Sequence, residues 1–333
     1  MKEDITISFV VLCYNQESMI LETLESIRYQ IEQYALETDS IQLIVMDDGS
    51  TDNTVKLVEL WTKKNAIWFS KINIDSFEKN RGTCKCYCEG CRKIEGEHFF
   101  VVAGDDLIAN TNVLDTIKKC KPNQIIASAP YRFMNNEVIV KKSEYINSVS
   151  SYFFSSKRLT RRALYCCPIV NGAVYGKDFI NESILNFIET YDLLEDRTRW
   201  VKSFELYSKV LFDWSPIPIL LYRISEKQVS NETSPAYIRI KKDKEKLLDY
   251  SLKQHPDFVS RIALRVSQYQ MKPATVYTRI IRYFNIEGYI DQIIIWKNRK
   301  KINSVIDQIF AQVDKNQVNH YLTIISKNAK TYI

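Results

Sequence analysis

"IQLIVMDDGSTDNTVKLVELWTKK", residues 41–64, reads as a strand, a turn and a helix in immediate succession. Ile41 to Met46 form a short apolar run rich in branched side chains, which suits a strand buried on both faces. Asp47 to Asn53 carry turn and cap residues. Val55, Val58 and Trp61 then recur at helical spacing. A doubly buried strand followed at once by a helix is the unit of a parallel sheet covered by helices.

The same unit recurs on both sides of this stretch. "ITISFVVLCY" (5–14) is an apolar strand, and Ile20, Leu24 and Ile27 after it share one helical face. "IWFSKIN" (67–73) reads as a third strand and the segment from Gly82 to about Glu95 as a helix. "HFFVVAG" (98–104) reads as a fourth strand and "NTNVLDTIKKC" (110–120) as the next helix. The alternation predicts an α/β fold with a mostly parallel, doubly wound sheet.

Past residue 124 the pattern loosens. "IIASAPYRF" (125–133), "GAVYG" (172–176) and "IPILLYR" (217–223) read as strands, and "LLEDRTRWVKSFELYSKV" (193–210) as a helix. From Ser234 onward the text is helical and polar, with breaks expected near Pro256, Pro273 and Gly288. The expected organisation is a catalytic α/β domain over 1–233 and a helical region over 234–333.

Composition narrows the class. The chain has 333 residues, of which 45% are hydrophobic, enough for a full core. No run approaches the roughly 18 apolar residues of a membrane span, and no basic region precedes the first apolar run. A cytoplasmic location is expected, where thiols stay reduced. Charge is uneven: residues 234–333 hold 18 Lys+Arg against 8 Asp+Glu, and residues 1–233 hold 28 against 32. A basic tail is either a solvated helical surface or an attractor for an anionic membrane face or a phosphate-bearing partner.

Four cysteines fall close together in "GTCKCYCEGC" (82–91). On a helix, Cys84, Cys88 and Cys91 lie within about 60° of one another and Cys86 points the other way. One helix cannot aim all four at a tetrahedral metal. They are expected to be small buried core residues.

The carboxylates carry the chemical signal. In an open parallel sheet, ligands bind beyond the carboxyl ends of the strands. Asp47 and Asp48 end the second strand, and Asp105 and Asp106 end the fourth. Adjacent carboxylates there suit Mg2+ or Mn2+, which prefer oxygen ligands shared with phosphate. The competing reading is that "DDGSTDNT" merely caps the following helix. "VVLCYNQES" lacks both glycine-rich phosphate-loop patterns, which argues against a dinucleotide enzyme or a P-loop NTPase. "YDLLEDRTRW" adds Asp192, Glu195 and Asp196, either a solvated face or a general base. The three histidines, His98, His255 and His320, assemble no nucleophile–His–acid triad.

Taken in order, these pieces resemble inverting family 2 glycosyltransferases of the GT-A fold, of the kind that builds bacterial surface polysaccharides. "SFVVLCYNQES", "IVMDDGSTDNT", "NRGTCKCYCEGCRKIEGEHFFVVAGDD", "NGAVYGKDFI", "LLEDRTRWVKS" and "LYRISEKQVS" are similar to six successive family motifs over about residues 5–230. The resemblance implies that Tyr14 stacks near a nucleotide base and that Asp48 binds its edge. Leu12, Glu17 and Gly82 complete the nucleotide side. Asp105 would lie near the ribose, Asp106 would bind Mn2+ or Mg2+, and Asp196 would be the catalytic base beside Glu195.

The implied reaction moves a sugar from a nucleotide-sugar donor, expected to be a UDP-sugar, to a glycan or lipid-linked acceptor. Two departures stand out. Ala103 occupies a position where the family often has aspartate, and Ser225 one where it often has histidine, which thins the expected metal coordination. For the C-terminal region the resemblance leaves peripheral membrane contact, a helical cap or a homodimer surface open. No nucleic acid is expected. A nucleotidyltransferase making nucleotide sugars shares the related fold but usually carries a glycine-rich, Arg-Lys-containing loop near the first strand, absent here. A non-catalytic nucleotide-sugar binder is the third reading.

Overall fold

The computed structural model describes residues 5–128, 130–139, 142–165, 172–207, 210–224, 234, 236–254, 257–272, 276–312 and 314–333. The chain opens with β1 (Ile7–Cys13), α1 (Ile20–Tyr34), β2 (Ile41–Asp47), α2 (Thr54–Asn65), β3 (Lys71–Ser76), α3 (Thr83–Arg92) and β4 (His98–Ala103). These four strands form one parallel sheet in the order β3-β2-β1-β4, with Ile7 beside both Ile41 and His98. The strand period of two explains the layering. Phe9, Val11, Leu43 and Val45 pack with α1 and α2, while Val10, Ile44 and Met46 pack with Cys86 of α3. Both faces of β1 and β2 are thus covered, as their unbroken apolar text requires.

The third strand departs from the expected span. Ala66–Trp68 form a 3-10 turn with Ile67 exposed, and the strand is the alternating "KINIDS" that follows. β3 is an edge strand and half-buried, so its pattern is weaker than the apolar triplet before it.

The middle of the chain supplies β5 (Leu107–Ile108), α4 (Val113–Lys118), β6 (Gln124–Ala127), β7 (Tyr131–Met134), β8 (Glu137–Ile139), α5 (Lys142–Ser151), α6 (Ser156–Tyr165), β9 (Ala173–Tyr175), α7 (Glu182–Ile188), α8 (Glu195–Leu206), β10 (Leu211–Trp214) and β11 (Leu220–Arg223). Two small mixed sheets result, ordered β10-β6-β9 and β5-β11-β7-β8. The expected single strand over 125–133 is therefore two strands in different sheets. Ser128 ends the first, its N–H donating to the Gly172 carbonyl, and Pro130 has no N–H to continue a ladder.

The remaining helices are α9 (Ala236–Gln254), α10 (Phe258–Gln270), α11 (Val276–Ile281), α12 (Ile286–Gln312) and α13 (Lys315–Ala329). The break expected at Gly288 comes earlier. A 3-10 turn at Arg282–Phe284 precedes α12, and the Asn285 side chain accepts the Gly288 N–H at 3.0 Å. Pro256 and Pro273 lie outside the described residues. Ile302, Ile306 and Ile309 of α12 and Val318, Tyr321 and Leu322 of α13 share one core with β1 and α1. Tyr321 donates its hydroxyl hydrogen to the Ile108 carbonyl at 2.8 Å. Leu247 and Leu248 of α9 join a second core with α3 and α8.

The cysteine helix divides as its geometry predicts. Cys84, Cys88 and Cys91 are buried in the second core, and Cys86 packs on the opposite face against the sheet. Burial pushes these thiols well above their ordinary range, which disfavours the thiolate needed for metal binding or oxidation. Cys166 and Cys167 lie outside the described residues.

Candidate donor and catalytic site

The carboxyl edge of the parallel sheet gathers the predicted residues. The loops after β1 and β2 are fastened to each other. The Asn15 side chain accepts the Thr51 N–H at 2.8 Å, the Asn15 N–H donates to Ser50 Oγ at 2.8 Å, and Gln16 N–H donates to Thr54 Oγ1 at 2.8 Å. Glu17 accepts from the Asn53 N–H at 3.0 Å, so it serves this loop–loop joint. Leu12 is half-buried near the end of β1, and the Tyr14 ring is 42% exposed beyond it. An exposed aromatic face at a strand end is able to stack a base.

The two aspartates after β2 have different duties. Asp47 accepts the Ser50 N–H at 2.8 Å, the Gly49 N–H at 3.1 Å and the Ser76 hydroxyl at 2.7 Å, which closes the turn and ties it to β3. Asp48 faces a different loop and does not cap α2. Its carboxylate accepts from Asn80 Nδ2 at 2.9 Å, the Arg81 N–H at 2.7 Å and the Gly82 N–H at 2.9 Å. Burial raises the Asp48 pKa, and the Arg81 and Gly82 amides oppose that rise. A carboxylate has about four lone-pair sites, so room for one more donor remains.

Gly82 joins this nucleotide side to the expected base. Its φ is +93°, and a Cβ there would lie 2.1 Å from Asp192 Oδ1 and 2.5 Å from the Asp192 carbonyl oxygen. Only glycine allows so close an approach. The Asp192 carbonyl in turn accepts the Cys84 N–H at 3.0 Å, satisfying a free amide at the start of α3. Asp192 lies three residues before Glu195, so this contact carries the Glu195–Asp196 pair to the edge where Asp48 lies. Arg239 of α9 secures the joint, gripping both Asp192 oxygens at 2.6 Å and reaching Asn80 Oδ1 at 3.2 Å. Asp243 of α9 accepts the Asp192 and Leu193 N–H groups at 2.9 and 2.7 Å.

Glu195 and Asp196 begin α8, and Asp196 Oδ1 accepts the Arg197 N–H at 2.6 Å. Burial first, then the Asp196 charge, pushes the Glu195 carboxyl up to about 7, with Arg199 one turn on drawing it down. Arg199 lies 3.8 Å over the Tyr175 ring and donates to the Tyr87 hydroxyl at 2.7 Å. A glutamate titrating near neutrality beside a second carboxylate suits proton transfer.

Asp105 and Asp106 are held from far away in sequence. The Arg223 N–H of β11 donates to Asp106 Oδ1 at 2.9 Å, and Arg223 Nε donates to the Asp105 carbonyl at 2.7 Å. The same guanidinium pairs with Glu22 and stacks 4.5 Å from the Phe133 ring. Asp106 is buried and Asp105 half-buried. Burial raises both carboxyls, and the Asp105 charge lifts Asp106 further, against the pull of Arg223. Two adjacent hard-oxygen donors that repel each other suit a divalent cation, with donor phosphates filling the other positions. Among the described residues, no three His, Cys, Asp or Glu side chains are placed to share a metal ion. Ser225 lies outside the described residues. Asp48 and this pair flank β1, two strand spacings or about 10 Å apart, a span that accommodates a nucleoside diphosphate.

The sequence motifs assign no role to Arg223, Arg239, Asp243 or Arg199. Arg223 and Arg199 fall within the quoted "LYRISEKQVS" and "LLEDRTRWVKS" text, which is a usable signal. Arg239 and Asp243 act through contacts that only the fold creates.

Comparison with known proteins identifies the family and the fold. The model of "Glycosyl transferase family 2" matches residues 8–182. An uncharacterized glycosyltransferase of Rickettsia felis is 26% identical over 200 residues, covering 60% of this chain and 30% of that protein. The poly-beta-1,6-N-acetyl-D-glucosamine synthase of Staphylococcus epidermidis is 24% identical over 150 residues, covering 45% of this chain and 33% of that one. The chain therefore spans about a third of the length of these curated relatives. Among solved structures, S. aureus TarS 1-349 in complex with UDP-GlcNAc has a TM-score of 0.53 at 18% identity, covering 92% of this chain and 91% of that one. The mannosyltransferase PcManGT from Pyrobaculum calidifontis, in complex with GDP-Man and Mn2+, has a TM-score of 0.53 at 13% identity, covering 98% and 86%.

Proposed function

The chain belongs to glycosyl transferase family 2, and from that premise we propose that it is an inverting enzyme moving a sugar from a nucleotide-diphosphate donor to a hydroxyl of a glycan or lipid-linked acceptor, in bacterial polysaccharide synthesis. The observation that carries this is the convergence of three acidic positions on one sheet edge: Asp48, Asp105–Asp106 and, through the Gly82–Asp192 contact, Glu195–Asp196. The structural relatives in complex with UDP-GlcNAc and GDP-Man support a nucleotide-sugar donor, and a UDP-sugar is the proposed one.

Each residue has a part. Tyr14 stacks the base and the open lone pair of Asp48 accepts a base N–H, with Leu12 and Gly82 shaping the same pocket and Glu17 holding its loop. Asp105 and Asp106 would hold Mn2+ or Mg2+, whose charge supports the diphosphate as it leaves. Arg223 fixes the Asp106 carboxylate through its N–H and the Asp105 backbone through its guanidinium before the donor arrives. Asp196 takes the proton from the acceptor hydroxyl, and Glu195 shares that proton as a coupled pair. One in-line displacement inverts the anomeric carbon and needs no enzyme nucleophile.

Incubation with nucleotide sugars and candidate acceptors, read by nucleoside diphosphate release and by NMR of the product anomer, tests the proposal. Diphosphate release with an inverted linkage is expected. Retention of configuration, or pyrophosphate release from a nucleoside triphosphate and a sugar phosphate, overturns it.

A further inference from the structure

A stretch of the C-terminal helices has a sorted surface that the catalytic reading does not use. Between Val276 and Lys301 the only acids are Glu287 and Asp291. Both are buried, Glu287 paired with Arg158 and Asp291 accepting from Arg158 Nε at 2.7 Å and Arg162 Nη1 at 3.0 Å. The arginines of α6 therefore hold the acids inward. Over 276–301 the outward charge is positive, with Arg279, Lys297, Arg299, Lys300 and Lys301 all exposed, and Asp307, two turns past Lys300, is the first exposed acid on that side of α12.

Large apolar side chains stand among those cations. Tyr283 is 72% exposed, Trp296 63%, Phe284 60% and Ile293 52%. At 100° per residue, Ile286, Tyr289, Ile293, Trp296, Lys297 and Lys300 fall within an arc of about 100°. Ile302, Ile306 and Ile309 occupy the opposite, core side with the two acids. Arg279, Tyr283 and Tyr289 line one shallow depression, so the turn before α12 continues the same face. Among the described residues, no helix is long and apolar enough to cross a membrane.

We propose that this face docks the protein on an anionic lipid bilayer, lying along the interface. Aromatic rings settle at the headgroup boundary, and lysine and arginine stems extend to lipid phosphates. Over 276–301 charge disfavours a second copy as the occupant, since a symmetric contact centred there would oppose cations to cations across apolar rings. The inference is independent of the donor and base assignments.

Cosedimentation of the full chain with vesicles tests it, using phosphatidylcholine alone and phosphatidylcholine mixed with phosphatidylglycerol. The wild type is expected to bind the mixed vesicles at least about tenfold more tightly. Each lysine near an anionic surface contributes about fivefold. K297E with K300E should therefore lower that binding by about 25-fold or more, and W296S with I293S should weaken it on both vesicle types. All variants should keep wild-type donor turnover in solution, which separates this outcome from failure of the catalytic reading. Equal binding to both vesicle types, binding to neither, or self-association abolished by W296S would overturn the proposal.

Discussion

The aspartate pairs at 47–48 and 105–106 are the same dipeptide at the same edge of one sheet, yet they are held in opposite ways. In the first, Asp47 is occupied by Gly49 and Ser50, two and three residues on, and by Ser76 at the end of β3, while Asp48 faces the Asn80–Gly82 loop. The second is settled by Arg223, more than a hundred residues downstream, which grips both members. Asp47 closes its own turn, and on the proposed function Asp48, Asp105 and Asp106 are the members left to the donor. The third pair, Glu195–Asp196, is placed through the remote Gly82–Asp192 contact and on that reading belongs with them.

The sharpest break of that comparison comes from the third pair. Asp196→Asn should lower kcat by about 10²–10⁴-fold with donor binding retained. In the wild type, kcat/KM should rise with pH through an apparent value near 7 as Glu195 loses its proton, because burial and then the Asp196 charge hold that proton on. A flat profile from pH 5 to 9 would remove Glu195 from the proton transfer. Asp106→Asn should cost about 10²–10³-fold in kcat and abolish any response to Mn2+. Asp48→Asn should weaken donor binding by about tenfold, the order of one charged hydrogen bond, with kcat little changed. Asp47→Ala is the counter-case. It strands the Gly49 and Ser50 amides and should destabilise the fold by about 1–3 kcal/mol with KM for the donor unchanged. Thermal unfolding and steady-state kinetics on the same preparations check both. If Asp47→Ala raised KM more than Asp48→Asn did, the division within the first pair would be wrong.

The sequence was most legible where burial and hydrogen bonding coincide. β1 and β2 are covered on both faces, so their text is continuously apolar. β3 lies at the edge, and "KINIDS" was overshadowed by "IWF", which forms a 3-10 turn. Apolar text records burial, not ladder pairing. The cysteines were legible because helix geometry alone separates Cys86 from Cys84, Cys88 and Cys91. The placements of Asp48 and Asp105–Asp106 followed from the strand ends. Their supports did not, because Arg223 and Arg239 reach Asp105, Glu22 and Asp192 across long stretches of chain. The acids of α12 show the same limit: the text of 276–301 reveals a net positive charge, and only the fold shows that Glu287 and Asp291 face inward.

Calorimetric titration of UDP into the wild type and Asp106→Asn, each with and without Mn2+, tests the metal role of Asp106. Mn2+ is expected to strengthen UDP binding to the wild type by at least about tenfold and to leave Asp106→Asn unaffected. Equal affinity of the wild type with and without Mn2+, or an undiminished Mn2+ effect in Asp106→Asn, would contradict it.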